Sequence, residues 1–134
     1  MSGPAFPFHV DARNAQGPTD ELVTQTAFRR RMRMEAPGVM LVAVPNAGKR
    51  TAWERRQRAA EGLTPGFPDM MALFDKTALF LEFKSGTGAL SNVQIDCLNR
   101  LAAQGFAVGV FRSADTATDW VRGHLPHAFI ARAA

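Results

Sequence analysis

The stretch from Pro68 to Lys84 constrains this chain more than any other. Asp69–Phe74 (DMMALF) and Ala78–Lys84 (ALFLEFK) are short apolar runs joined through Asp75-Lys76-Thr77, so they read as two strands of a hairpin. Alternate side chains of a strand share a face. Leu79, Leu81 and Phe83 therefore point one way, into a core, while Phe80, Glu82 and Lys84 point the other. A carboxylate and an ammonium two residues apart on so apolar a strand are costly unless they are paired or used. The length of the turn decides their company. A two- or four-residue turn sets Asp69 opposite Glu82, with Cβ atoms about 4.5–5.5 Å apart on one face. A three-residue turn sets Asp69 opposite Phe83, on the wrong face. The even register gathers Asp69, Glu82 and Lys84 into one cluster.

The remainder of the chain supplies elements to hold such a hairpin. Its 134 residues, 46% apolar and 21% charged, suffice for one domain with its own core and exclude wholesale disorder, collagen and coiled coil. Residues 1–18, with Pro4, Pro7, Pro18, Gly3 and Gly17, show no period and read as an N-terminal arm. A helix is predicted from Thr19 or Asp20 to the residues before Pro37-Gly38. Val39–Pro45 (VMLVAVP) reads as a buried strand, and Thr51-x-x-Glu54 caps a short helix that stops at Gly62. After the hairpin, Ser91-x-x-Gln94 is a second capping box, and its helix carries Ile95, Leu98, Leu101 and Ala102 before Gly105. Phe106–Phe111 (FAVGVF) reads as a buried strand, parallel to an earlier one because a helix intervenes. A last helix spans Ser113 to about Leu125, and residues 126–134 read as a C-terminal tail. The expected domain is thus 19–125, with the order α-β-α-β-β-α-β-α and a mixed sheet against helices.

Localisation follows from what is missing. A single cysteine, Cys97, suits a reducing compartment. No apolar run approaches the roughly 18 residues of a membrane span, and the first eleven residues do not have the pattern of a signal peptide. The expectation is a soluble, cytoplasmic chain without a membrane partner.

Two chemistries fit the spacing of the hairpin charges equally well. In one, Asp69 caps a turn and Glu82 and Lys84 form an ion pair near the sheet edge. In the other, two close carboxylates call for a cation between them, and carboxylate, carbonyl and water oxygens suit Mg²⁺ or Mn²⁺. With a phosphodiester as the third partner, this becomes metal-assisted hydrolysis, Lys84 orienting or helping to deprotonate the attacking water.

Pro68-Asp69 followed by Glu82-x-Lys84 resembles the PD-(D/E)XK nuclease motif. Val44-Pro45-Asn46-Ala47-Gly48-Lys49-Arg50, Gly62-Leu-Thr-Pro-Gly66-Phe-Pro-Asp69, Leu90-Ser91-x-x-Gln94 and Gly105-Phe-Ala-Val108 are similar to the VRR-NUC branch of that superfamily, over about Glu21 to Trp120. The resemblance implies a restriction-endonuclease-like α/β core. It also implies that Asp69 and Glu82 are metal ligands for Mg²⁺ or Mn²⁺, with the backbone carbonyl of Phe83 a third. Lys84 takes the catalytic position and Gln94 that of the family's accessory glutamine. Glu21 and Gln25 match the E-x-x-x-Q of the family's first helix, where the Glu joins the metal site. Ala47 stands where the family commonly has glycine. Small members resemble Holliday-junction resolvases, so the implied function is a homodimeric DNA endonuclease acting on branched or duplex DNA, in a phage or mobile-element setting. The alternative is a non-catalytic nucleic-acid-binding module that keeps the fold.

The charge balance agrees with a nucleic-acid partner. The net charge is +4, carried by thirteen Arg and only three Lys, and Arg forks match phosphate oxygens. Arg29, Arg30, Arg31 and Arg33 crowd one and a half helical turns, where like charges oppose helix formation. Arg29, Arg30 and Arg33 are candidate DNA contacts, as are Asn46, Lys49, Arg50 and Arg55 in the second basic segment; such contacts position a backbone without reading its sequence. Gly48-Lys49 is no P-loop, since Ala43 replaces the first glycine and Arg50 the Ser/Thr, so no nucleotide cofactor is expected. His9, His124 and His127 do not have zinc-ligand spacing, and Trp53 and Trp120 read as packing residues.

Overall fold

In a computed structural model, which describes residues 6–17, 20–45 and 52–131, the hairpin forms the middle of the sheet. β1 (His9–Val10), β2 (Met40–Ala43), β3 (Met70–Phe74), β4 (Thr77–Phe83) and β5 (Ala107–Phe111) lie in the order β1-β5-β4-β3-β2. β2, β3 and β4 are antiparallel neighbours, whereas β4, β5 and β1 run parallel. The helices are α1 (Glu21–Glu35), α2 (Ala52–Ala60), α3 (Asn92–Ala103) and α4 (Ala114–His124). Among the described residues no helix is long and apolar enough to cross a membrane.

The hairpin has a two-residue turn. Phe74 pairs with Thr77 and Met70 with Leu81. Asp75 and Lys76 both take positive φ, at 48° and 63°, as the turn whose twist matches its strands requires. This is the even register.

Both faces of the hairpin are covered. Leu79, Leu81, Phe83, Met70 and Ala72 join Phe28 and Met32 of α1 and Ala117 and Val121 of α4 in one buried cluster. Phe80, Val108 and Val110 join Leu98 of α3 on the opposite side. On α1 the buried residues are Thr24, Phe28 and Met32, a stripe one turn apart that faces the sheet. Each fully buried Phe, Leu or Val in these clusters contributes about 1.5–3 kcal/mol relative to exposure. Asp20 caps α1 by accepting from Leu22 N, and Ser113 caps α4 by accepting from Thr116 N, so the expected helix starts hold within a residue.

Several expectations need correction. Residues 9–10 are not without regular structure: they add a parallel edge strand to β5. Among the described residues the Val39–Pro45 run is an edge strand rather than a buried one, and Met40, paired with Leu73 on the face away from the main core, is 62% exposed. The segment after Pro126 begins with a short 3-10 turn, Pro126–Ala128. It packs Ala128 against α4, while Ile130 N donates to Glu35 O at 2.7 Å. Trp53 is 62% exposed and does not pack as expected, whereas the Trp120 ring lies 5.1 Å from that of Phe111. Residues 46–51, which include Asn46, Lys49, Arg50 and the cap Thr51, lie outside the described residues, as does the side chain of Arg55.

Candidate active site

β4 and β5 are parallel and end together, at Phe83 and Phe111, and open α/β sheets hold ligands beyond such carboxyl ends. Asp69 immediately precedes β3, and the hairpin register carries it opposite Glu82. Both are buried, Asp69 at 8% and Glu82 at 1% exposure. Asp69 is held across the hairpin, its Oδ2 accepting from Phe83 N at 2.8 Å. Its carbonyl accepts from Val44 N at 2.8 Å, which ties the end of the β2 segment to the same place.

Glu82 is held from the other side. Gln94 donates from Nε2 to Glu82 Oε2 at 3.0 Å, while Gln94 Oε1 accepts from Ser91 N at 2.9 Å. Ser91 Oγ accepts from Gln94 N in return, completing a capping box. Gln94 therefore caps α3, as its spacing predicts, and also bonds to the Glu82 carboxylate.

The electrostatics are those of a like-charge pair. Burial is the main cause that pushes the Glu82 carboxyl up to about 10; the charge of Asp69, and then a hydrogen bond with it, add to this. Lys84 pulls it down and Glu21 raises it slightly. With both carboxyls ionised, Glu82 Oε1 is a buried oxygen without a hydrogen-bond partner. With Glu82 protonated, that proton is available to Asp69. Lys84 is half-buried, and its backbone N donates to Phe111 O at 2.9 Å.

The remaining candidates sit farther out. Glu21, half-buried in the first turn of α1, acts on Glu82 through its charge. Among the described residues no three His, Cys, Asp or Glu side chains gather as a ready-made cage for a metal ion. Arg29 donates to Thr26 Oγ1 on its own helix at 3.4 Å, and Arg30 and Arg33 are exposed along it. Arg31 instead bonds to Glu35 and Asp115. Cys97 is buried in α3, and burial pushes its thiol up, so it has the character of a packing residue.

Arg112 and Asp11 were missed. Arg112 is 6% exposed and donates to Ser85 O, Gly88 O and Asp11 O, next to the Lys84 end of β4. The one available signal was an arginine directly after the apolar run FAVGVF, at the carboxyl end of a parallel strand. Asp11 gave none, because its partner is 101 residues away.

With this geometry in hand, comparison with known proteins is informative. The VRR-NUC domain model matches residues 15–115. A solved structure of a VRR-NUC domain protein superposes with a TM-score of 0.62 at 16% identity, covering 83% of this chain and 91% of that one. At that identity the likeness shows the fold. No curated protein matches the sequence.

Proposed function

The chain belongs to the VRR-NUC family, a nuclease-type domain family, and from that premise we propose that it is a Mg²⁺- or Mn²⁺-dependent DNA endonuclease whose centre is Asp69 and Glu82. The observation that carries this reading is the pair itself: the Glu82 carboxyl, 1% exposed, is set across the hairpin from the buried Asp69 carboxyl. Two ionised carboxylates in such a place are stable together only with a cation. The donor set suits Mg²⁺ or Mn²⁺, since Mg²⁺ takes one or two carboxylates and fills its other positions with waters and substrate phosphate. A cage of three or more side chains is therefore not required. Asp69, Glu82 and the Phe83 carbonyl are the proposed ligands, with Glu21 contributing from α1.

The cation, when bound, supplies polarisation of the phosphoryl oxygen and a lowered pKa for water. The other work falls to the chain. The Phe83 amide fixes the orientation of Asp69, and the Gln94 amide that of Glu82, so both ligands are set before substrate arrives. Lys84 holds or relays the proton of the attacking water and offsets charge that develops on the phosphate. Asn46, Lys49, Arg50, Arg55, Arg29, Arg30 and Arg33 are the proposed contacts to the DNA backbone, made without base reading. A homodimer acting on branched or duplex DNA places one such centre at each strand to be cut.

The test is a cleavage panel of supercoiled plasmid, linear duplex, single-stranded, flap and four-way-junction DNA, with Mg²⁺ and with Mn²⁺. Metal-dependent cutting is expected, with Lys84→Ala slower by about a hundred- to ten-thousandfold while DNA binding persists. Binding without cutting under either metal overturns the enzyme reading in favour of a binding module. Equal cutting of every DNA form removes the junction preference.

A further inference from the structure

The buried Arg112 is unexplained by the carboxylate pair, which it does not touch. Its Nη1 donates to Ser85 O at 2.6 Å and to Gly88 O at 2.7 Å, and its Nε to Asp11 O at 3.1 Å. Its backbone N donates to Asp11 Oδ2 at 2.9 Å. Asp11 is itself held by His9 Nε2 at 2.6 Å and by the Thr116 hydroxyl. The carbonyls that Arg112 joins belong to two irregular segments, the loop between β4 and α3 and the residues just past β1. A second tie links the same segments: Asn14 N donates to Gly86 O at 2.6 Å, and a Cβ on Gly86 would come within 2.0 Å of Asn14 O. The N-terminal segment therefore lies directly on the loop.

That loop has the site at both ends. Ser85 follows Lys84, and Gly88 lies three residues before Ser91, the cap of the helix whose Gln94 holds Glu82. One guanidinium thus spans the loop between the ammonium and the amide of the proposed centre. We propose that Arg112, anchored by Asp11, is a positioning residue that places Lys84 and Gln94 against the Asp69–Glu82 pair, so that the N-terminal strand is part of the active site. This rests on the nuclease reading. Lysine cannot substitute, because one compact ammonium does not reproduce a planar fork that reaches carbonyls on two segments.

The experiment compares wild type, Arg112→Lys and Asp11→Ala, each shown folded by its thermal transition. It measures kcat and KM on a cleaved DNA substrate, Mn²⁺ affinity by calorimetry, and hydrogen exchange at residues 85–91. Arg112→Lys is expected to lower kcat about ten- to hundredfold, as small misplacements of catalytic groups do. KM should hold, Mn²⁺ affinity should fall no more than kcat does, since Gln94 also orients Glu82, and the loop amides should exchange faster. Asp11→Ala, which removes the acceptor of Arg112 N, should move the same quantities in the same direction, and it decides the matter if Arg112→Lys does not fold. Folded variants with wild-type kcat overturn the proposal, as does a lowered kcat with loop amides that exchange as in wild type, since the loop would then not carry the effect. A wild type that binds Mn²⁺ but cuts no DNA overturns the nuclease reading instead, and this inference with it.

Discussion

Two charged clusters in this molecule are built on opposite rules. Between α1 and α4, Arg31 bonds to Glu35 at 2.8 Å and Asp115 at 2.7 Å, while Arg122 bonds to Glu35 at 2.6 Å and Asp119 at 2.9 Å. Every contact joins opposite charges, and water reaches them all. Pairs of this kind each contribute about 0–1 kcal/mol. At the end of the hairpin, two like charges are buried together, and one of them is driven far from its ordinary ionisation. The first cluster serves stability modestly and the second opposes it. Charges arranged against stability mark a candidate functional site.

The largest expected effect comes from neutralising the second cluster. Glu82→Gln should slow cleavage at least about a hundredfold, yet stabilise the metal-free protein by about 1–3 kcal/mol at neutral pH, because the folded chain no longer has to keep a proton on a buried carboxyl beside Asp69. Cleavage rates and thermal denaturation of the same preparation check both halves. Loss of activity accompanied by loss of stability would break the comparison.

The pH dependence sharpens it. The folded protein keeps a proton on Glu82 that the unfolded chain has released between about 4.5 and about 10. The metal-free protein should therefore lose stability as pH rises through that window. Mn²⁺ competes with the same proton, so its stabilising effect should grow with pH. Denaturant midpoints at several pH values, with and without Mn²⁺, check the sign, and Glu82→Gln should not show this slope.

Smaller effects belong to the surface. Glu35→Ala should destabilise by about 1 kcal/mol, less in high salt, with cleavage unchanged. Denaturation at two ionic strengths measures it. At the far end of the hairpin, Lys76 holds a φ of 63°, which costs a side chain what glycine does not pay. Lys76→Gly should stabilise by about 0.5–1 kcal/mol without changing cleavage.

How much of this was legible in the sequence follows from the range of each interaction. The two strands and the shared face of Glu82 and Lys84 were readable because alternation is local, but the turn length was left open, and it is the two-residue turn, with Thr77 inside β4, that sets Asp69 across from Glu82. Gln94 was readable as a cap because a capping box is local, its place as an accessory glutamine came only from resemblance, and its bond to Glu82 came from neither. β1 escaped because two residues have no period, and its pairing with Gly109 and Val110 lies about a hundred positions away. The Arg112–Asp11 clamp escaped for that reason too. β2 was misread as buried because an apolar run records composition, whereas burial depends on what packs over each face: Leu41 meets the core and Met40 does not.

The most direct test of the central claim, that Asp69 and Glu82 form a divalent-cation site, is the shift of thermal midpoint with Mn²⁺ at pH 8 in wild type and in Glu82→Gln. The wild-type midpoint should rise with Mn²⁺ as ligand linkage requires, and the variant should start higher and not move. A wild type indifferent to Mn²⁺, or a variant that responds equally, would contradict it.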